Sequence, residues 1–251
     1  MLLEQCSRSG RVIARLPDHL RLRTRLEAYA VQKALVDLSG RPSLGWKVAA
    51  TSFAGQAHIG VEGPIAGRLL AGSILASGCT IDLTENRMRV AEPEFVFEFA
   101  RAMTVRDLPW SIDEVLEHVS AAYPAIEIPD SRFDPFVSAG ELQLIADNAC
   151  AHVLIIGPPM PDNWSSDDFA AAQVVLETSD GKRSVGGGRE VLGDPRVALT
   201  WLVNEITRHD MRIEKGDMVT TGACCAPLAI SEGGGATATF GNSAHVSVTF
   251  R

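Results

Sequence analysis

Period-two hydropathy in RVAEPEFVFEFAR (residues 89–101) constrains this chain more than any other feature. Phe95, Phe97 and Phe99 alternate with Glu94, Val96 and Glu98, the repeat of a β-strand whose successive side chains point to opposite faces. Glu92 and Glu94 then share one face and the phenylalanines the other. In YPAIEIPDSRF (123–133) Glu127 stands between Ile126 and Ile128, again opposite an apolar pair. Carboxylates gathered on one face repel by roughly 4 kcal/mol per pair at 4 Å in an effective dielectric near 20. The pattern has two readings. One is an amphipathic strand with a solvated acidic face. The other is a site for a hard divalent cation with oxygen ligands, for which Mg²⁺ or Mn²⁺ suits better than zinc.

With 251 residues, 46% of them hydrophobic, the chain has enough apolar material for a full core. The expected organisation is an N-terminal helix and strand region over 1–75, part of the same compact unit as a β-rich catalytic region over 76–251. Net charge is −8, with the acids dispersed and no basic cluster, so nucleic acid and anionic membrane are poor partners. Cysteines 6, 79, 150, 224 and 225 are odd in number and lack CxxC spacing, the usage of free thiols in a reducing compartment. No apolar run approaches the ~18 residues of a membrane span, and MLLEQCSRSGR has no signal-peptide h-region. The expectation is a soluble, cytoplasmic protein.

Local signals place the remaining elements. A helix is predicted over Thr24–Ser39, with Leu26, Tyr29, Ala30, Ala34 and Leu38 on its apolar stripe and Gly40 as its stop. GWKVAAT (45–51) reads as a buried strand, and 52–80 as irregular loops around short strands. Ser111 and Glu114 form a capping box ahead of Val115, Leu116 and Val119. Residues 150–157 read as a strand, 158–167 as loop, and Val174–Thr178 with the segment from Arg183 as a hairpin turning at Asp180-Gly181. Asp194 and Pro195 start a helix that runs to about His209. Lys215-Gly216-Asp217 turns the chain into MVTTG, and a C-terminal hairpin turns at Gly241-Asn242. Many strands and few helices, not in βαβ alternation, indicate an α+β fold on a mixed β-roll.

Lys47 sits inside an apolar strand, between Trp46 and Val48. A lysine there either snorkels from the strand end or is held near a reaction centre; burial would lower its pKa and nearby carboxylates would raise it. Glycines 186–188 and 233–235 fit neither a P-loop nor a strand–GxGxxG–helix pattern and read as turns. The six histidines form no metal-ligand spacing. Cys224 and Cys225 read as packing.

Taken in order, GWKVAAT, GPIAGRL, AEPEFVFEFA, AIEIPDSRF, LIADNA, GDPRVALTWLVNE and KGDMVTTG resemble the fumarylacetoacetate hydrolase superfamily. Within it they are similar to the branch of 2-keto-4-pentenoate hydratases and 4-oxalocrotonate decarboxylases, over about Leu26 to Arg251. The resemblance implies that Glu92, Glu94 and Glu127 bind a divalent metal, and that Lys47 binds substrate or transfers protons. It also implies a role near the site for Asp130, Ser131 and Arg132: Asp130 would hold Lys47 or a metal-bound water and Arg132 would pair with a carboxylate. Asp147 and Asn148 would support these residues through hydrogen bonds.

There are two departures from the branch. Many of its hydratases carry an acid after the proline that matches Pro64; here Ile65 occupies that place and would line the substrate pocket. ISEGGGATATF lacks the Gly-Asp turn often found before the penultimate strand. The implied activity is metal-dependent addition of water to a 2-hydroxydienoate or 2-oxo-enoate in aromatic-compound catabolism, by a chain that self-associates. The alternatives are 4-oxalocrotonate-type decarboxylation, C–C hydrolysis as elsewhere in the superfamily, or non-catalytic binding of a 2-oxo acid.

Overall fold

The computed structural model describes residues 2–161, 168–242 and 244–251. Its helices are α1 (Leu2–Ser9), α2 (Arg25–Ser39), α3 (Phe53–Ile59), α4 (Ile112–Leu116), α5 (Glu141–Ala146) and α6 (Pro195–Thr207). The N-terminal strands are β1 (Ser43–Ala49), β2 (Ile65–Leu70), β3 (Ile74–Ala76) and β4 (Cys79–Ile81). The central strands are β5 (Val90–Phe99), β6 (Val119–Ile128) and β7 (Val153–Ile156). They are followed by β8 (Gln173–Thr178), β9 (Arg183–Gly187), β10 (Met218–Ala223), β11 (Leu228–Ala229), β12 (Gly235–Phe240) and β13 (Ala244–Phe250).

One sheet runs β2-β1-β10-β5-β6-β7-β3, with β11 added to β5; the other runs β4-β13-β12-β8-β9. Both mix parallel and antiparallel pairs: β1 runs parallel to β10 and β3 to β7, while β5 and β6 are antiparallel. The result is the expected α+β roll. Strands from 1–75 share a sheet with strands from 76–251, and β3 spans the position between the two segments. Among the described residues no helix is long and apolar enough to cross a membrane.

The phenylalanine face of β5 forms the core between the sheets. Phe95 packs edge-on against Phe240 of β12, with ring centroids 5.0 Å apart, and against Phe169 at 5.1 Å. Such aromatic pairs add roughly 0.5–1.5 kcal/mol beyond their buried area. The opposite face of the same sheet is not solvated either. There Leu69, Val96, Ala125 and Leu154 form a smaller buried cluster, which continues the face that carries Glu94.

Helix signals place most ends correctly. Thr24 caps α2, accepting from the Glu27 N–H at 3.1 Å, and Gly40 closes it in the left-handed conformation. The Ser111–Glu114 capping box opens α4, and Asp194 with Pro195 opens α6. Both predicted hairpins form.

Three expectations need correction, and one falls partly outside the described residues. The buried stripe of α2 is Ala28, Tyr29, Gln32 and Leu35, whereas Leu26 and Leu38 face solvent. The helix is rotated because Gln32 Nε2 donates to the carbonyls of Ala66 and Ile145, at 2.8 and 2.9 Å, which ties a polar residue into the core. Helix α4 stops before Val119, which begins β6. Residues 53–59, expected as loop, form α3 under a Ser52 cap. The predicted loop over 158–167 falls partly on 162–167, outside the described residues.

Candidate active site

Pairing of β5 with β6 sets Glu92 directly across from Glu127 and Glu94 across from Ala125. One carboxylate oxygen from each of Glu92, Glu94 and Glu127 lies within 4.8 Å of the others. Glu94 and Glu127 are each 1% exposed and Glu92 is half-buried. Like charges set opposite each other in a sheet are destabilising, and burial worsens this by removing water. Oxygens around Mg²⁺ at ~2.1 Å stand ~3 Å apart when adjacent and ~4.2 Å when opposite. Small side-chain rotations therefore suffice to bring the three groups onto one ion.

Neighbouring backbone and side chains hold the acids in place. The Gly222 N–H donates to Glu94 Oε2 at 3.0 Å. Gly222 has a positive φ of 99°, and a Cβ there would collide with the Thr51 hydroxyl, so only glycine brings the β10 backbone to the carboxylate. Lys47 Nζ lies 2.7 Å from Glu127 Oε2 with its ammonium 3% exposed. That contact is an ion pair rather than a well-aligned hydrogen bond, and among the described residues neither Glu127 oxygen receives a hydrogen bond in good geometry. Buried carboxylate oxygens without donors are rare and costly. An oxygen-seeking cation satisfies them.

The electrostatics follow. Burial pushes Glu94 well above the usual carboxylate range, and Glu127 adds to the shift. Burial also pushes Glu92 up to about 7 against the pull of Lys47. For Lys47, burial alone favours the neutral amine, but Glu127, Glu94 and Glu92 outweigh it and raise the pKa. Without a metal, the three carboxylates thus favour the charged form of Lys47.

The PDSRF segment faces elsewhere. Asp130 does not reach Lys47: its carboxylate pairs with the Arg87 guanidinium and accepts the Arg87 N–H at 2.7 Å. The partnership foreseen between Asp130 and Lys47 is replaced by Lys47–Glu127. The Ser131 hydroxyl donates to Asp147 Oδ2 at 2.7 Å, the Arg132 N–H to the same oxygen at 2.9 Å, and the Arg132 guanidinium pairs with Asp147. Arg132 thus finds a carboxylate, on the protein itself. Ile65 is buried on the face of Gly67, the cross-strand partner of Lys47.

Behind the site Asn148, Ala149 and Cys150 all adopt left-handed φ, at 59°, 49° and 60°. Each such non-glycine residue costs on the order of 1 kcal/mol or more, so other contacts must hold the turn. The Asn148 amide pairs with both backbone groups of Arg68, at 2.6 and 2.9 Å. The Cys150 carbonyl accepts from Asp130 N–H at 2.9 Å. Sequence reasoning did not foresee this strain, nor the parts played by Gly222 and Thr51; the small residues of TTG were the available signal for Gly222.

A solved 4-oxalocrotonate decarboxylase from Pseudomonas putida G7, complexed with magnesium and adipate, has the same fold: TM-score 0.89 at 24% identity, over 100% of this chain and 95% of that one. The curled mixed sheet therefore defines a fumarylacetoacetate hydrolase-like protein. No protein-family model matches the chain, but curated relatives do. A 2-keto-4-pentenoate hydratase of Dechloromonas aromatica is 30% identical over 92% of this chain and 88% of its own. A 4-oxalocrotonate decarboxylase of Pseudomonas sp. is 27% identical over 89% of this chain and 84% of its own. The chain belongs to the 2-keto-4-pentenoate hydratase and 4-oxalocrotonate decarboxylase branch of the fumarylacetoacetate hydrolase superfamily.

Proposed function

We propose that this chain is a divalent-metal-dependent hydro-lyase that adds water to a small 2-hydroxydienoate or 2-oxo-enoate in aromatic-compound breakdown. One observation carries the reading: three carboxylates, two of them buried, converge within 4.8 Å of one another beside the buried Lys47. Glu92, Glu94 and Glu127 would hold Mg²⁺ or Mn²⁺, in line with the magnesium in the decarboxylase of the same fold. The bound cation supplies Lewis-acid polarisation of the carboxylate and 2-oxygen of a 2-oxo acid.

The chain's own residues do the rest. Lys47, beside the three carboxylates, donates a proton to substrate carbon during tautomerisation. It recovers a proton from the 2-hydroxyl, which leaves the ketone conjugated and open to water at the distal carbon. Ile65 is buried on the face of the sheet that carries Lys47 and limits bulk water near the transferred proton. Asp130, Ser131 and Arg132 act at one remove, locking the end of β6 so that Glu127 keeps its place. The chain works in the reducing cytoplasm, as its free thiols suit, and as a homo-oligomer.

Decarboxylation of a 2-oxo-enedioate is the second reading, favoured by the decarboxylase among the relatives. The two differ at the distal end of the substrate, where Ile65 offers an apolar contact. A methylene in an apolar pocket is worth about 1–3 kcal/mol. Turnover of a panel of 2-hydroxydienoates and 2-oxo-enedioates with added Mg²⁺, followed by product analysis, decides between them. Faster hydration of a neutral or alkyl-tailed dienoate is the expected result. Preference for the dicarboxylate with release of carbon dioxide establishes the second reading, and binding without conversion defeats both.

A further inference from the structure

Apart from the acid cluster, the molecule carries a basic cleft of about 340 Å³ between α1, α2, β2 and the end of β6. Its walls include Arg8, Arg41, Arg68, Arg87 and Arg132, with His152, against the acids Glu4, Glu85 and Asp130. On a chain of net charge −8, five guanidiniums in one recess reverse the local sign. Three of them are neutralised nearby: Arg8 by Glu4, Arg87 by Asp130 and Arg132 by Asp147.

Arg68 and Arg41 differ from the rest. Arg68 is half-buried with its guanidinium over Trp46, 3.4 Å from the ring centroid, and among the described residues its side chain's one hydrogen-bond contact is Met211 Sδ at 3.6 Å. No carboxylate lies within ion-pair distance among the described residues. Burial lowers its pKa to about 10, and only the more distant Asp217 and Asp37 oppose this. Arg41 spends its Nε on the Ala71 carbonyl at 2.7 Å and has no acid partner among the described residues either. Both side chains also line an adjoining cavity, where Lys33 and Asp37 pair with each other at 2.7 Å. His152, exposed at one edge, is kept toward its neutral form by desolvation and then by Arg132, Arg41 and Arg87, against the pull of Asp130. The recess is therefore electropositive.

We propose that this cleft is a second binding site, separate from the acid cluster, which takes a small oxyanion of two or more negative charges through Arg68 and Arg41. A half-buried guanidinium already fixed by stacking offers its N–H fork with little ordering left to do, and such forks suit carboxylate and phosphate oxygens. Asn148 fixes the Arg68 backbone behind the cleft, accepting its N–H and donating to its carbonyl. The volume suits a metabolite-sized ligand rather than a peptide, and Glu85 on the wall disfavours ligands that crowd that side.

Calorimetry on the metal-free protein tests the site, with inorganic phosphate and succinate titrated separately. Without metal the acid cluster lacks a cation to hold an anion, and heat that persists unchanged in Glu94→Gln reports the cleft. One-to-one binding of at least one probe is expected. It should weaken about tenfold or more in Arg41→Gln and in Arg68→Met, the loss of one charge-assisted contact, and persist in Glu94→Gln. Binding of phosphate alone marks a phosphate-class ligand, and binding of succinate alone a dicarboxylate. Absence of heat from both probes at millimolar concentration, or unchanged affinity in folded Arg41→Gln, overturns the proposal. Because Arg41 is exposed, that variant decides the matter even if Arg68→Met fails to fold.

Discussion

Lys47 Nζ and Glu127 Oε2 meet at 2.7 Å although their strands are third neighbours, with β10 and β5 between β1 and β6. In a flat sheet three spacings of about 4.8 Å separate such strands by roughly 14 Å. Lysine and glutamate side chains together span only about 10 Å from backbone to tip, short of what is needed. The sheet closes the gap by curling. The ion pair is thus a consequence of the roll, and any change that flattens it parts lysine from carboxylate before it touches either residue.

Glu94→Gln should fold and lose Mg²⁺ affinity by about 100-fold or more, since even residues behind a metal ligand are worth 10- to 100-fold. The metal-free variant should melt no lower than the parent, because it replaces a carboxyl whose charged form burial and Glu127 already disfavour. Calorimetry for the ion and a melting curve without it check the two halves. Unchanged Mg²⁺ affinity would remove Glu94 from the site.

Lys47→Met keeps the apolar stem and deletes the ammonium. Turnover is expected to fall about 10²- to 10⁴-fold, the usual worth of a positioned proton-transfer group, with Mg²⁺ binding retained. Turnover within a few-fold of the parent would assign proton transfer to another group.

Asp147→Ala strips the buried Arg132 of its partner and frees the Ser131 hydroxyl. Losing one side of a buried pair costs about 3–5 kcal/mol, to be read from urea unfolding. A cost below about 1 kcal/mol would mean that the left-handed turn at 148–150 is held by the Asn148 amide alone.

Glu114 carries the pH dependence most easily isolated. The Arg106 guanidinium, then the Ser111 N–H and hydroxyl, hold its carboxyl down to about 2 from an ordinary 4.5. A carboxyl depressed in the folded state stabilises it above the ordinary value, and that contribution is lost as pH falls through the folded one. Glu114→Gln should therefore melt below the parent at pH 7, with the gap closing between about 4.5 and 2. A gap constant across that window would show that the pairing does not bear on stability.

Much of the site was legible because a period of two is unambiguous: alternation in β5 and β6 puts Glu92, Glu94 and Glu127 on one face, and that is where they lie. Lys47 stood out as a charge within an apolar strand. What escaped was everything set by tertiary packing. The buried face of α2 turns on Gln32 reaching two carbonyls on other segments, which no hydropathy stripe encodes. The proton balance of Lys47 sets burial against three acids that lie far away in sequence and close in space. The unpaired state of Arg68 follows from which acids other elements place near it, and sequence spacing does not fix that.

Strand β10 has one more consequence, for the order in which the protein is made. It lies between β1 and β5 and supplies the Gly222 N–H that holds Glu94, yet it begins only at Met218. A nascent chain emerging from its N-terminus can zip β5 to β6 early and gather three acids on one hairpin. Lys47 has no berth beside them until more than two hundred residues are out. A chain ending before Met218 lacks both the strand that joins β1 to β5 and the N–H that holds Glu94.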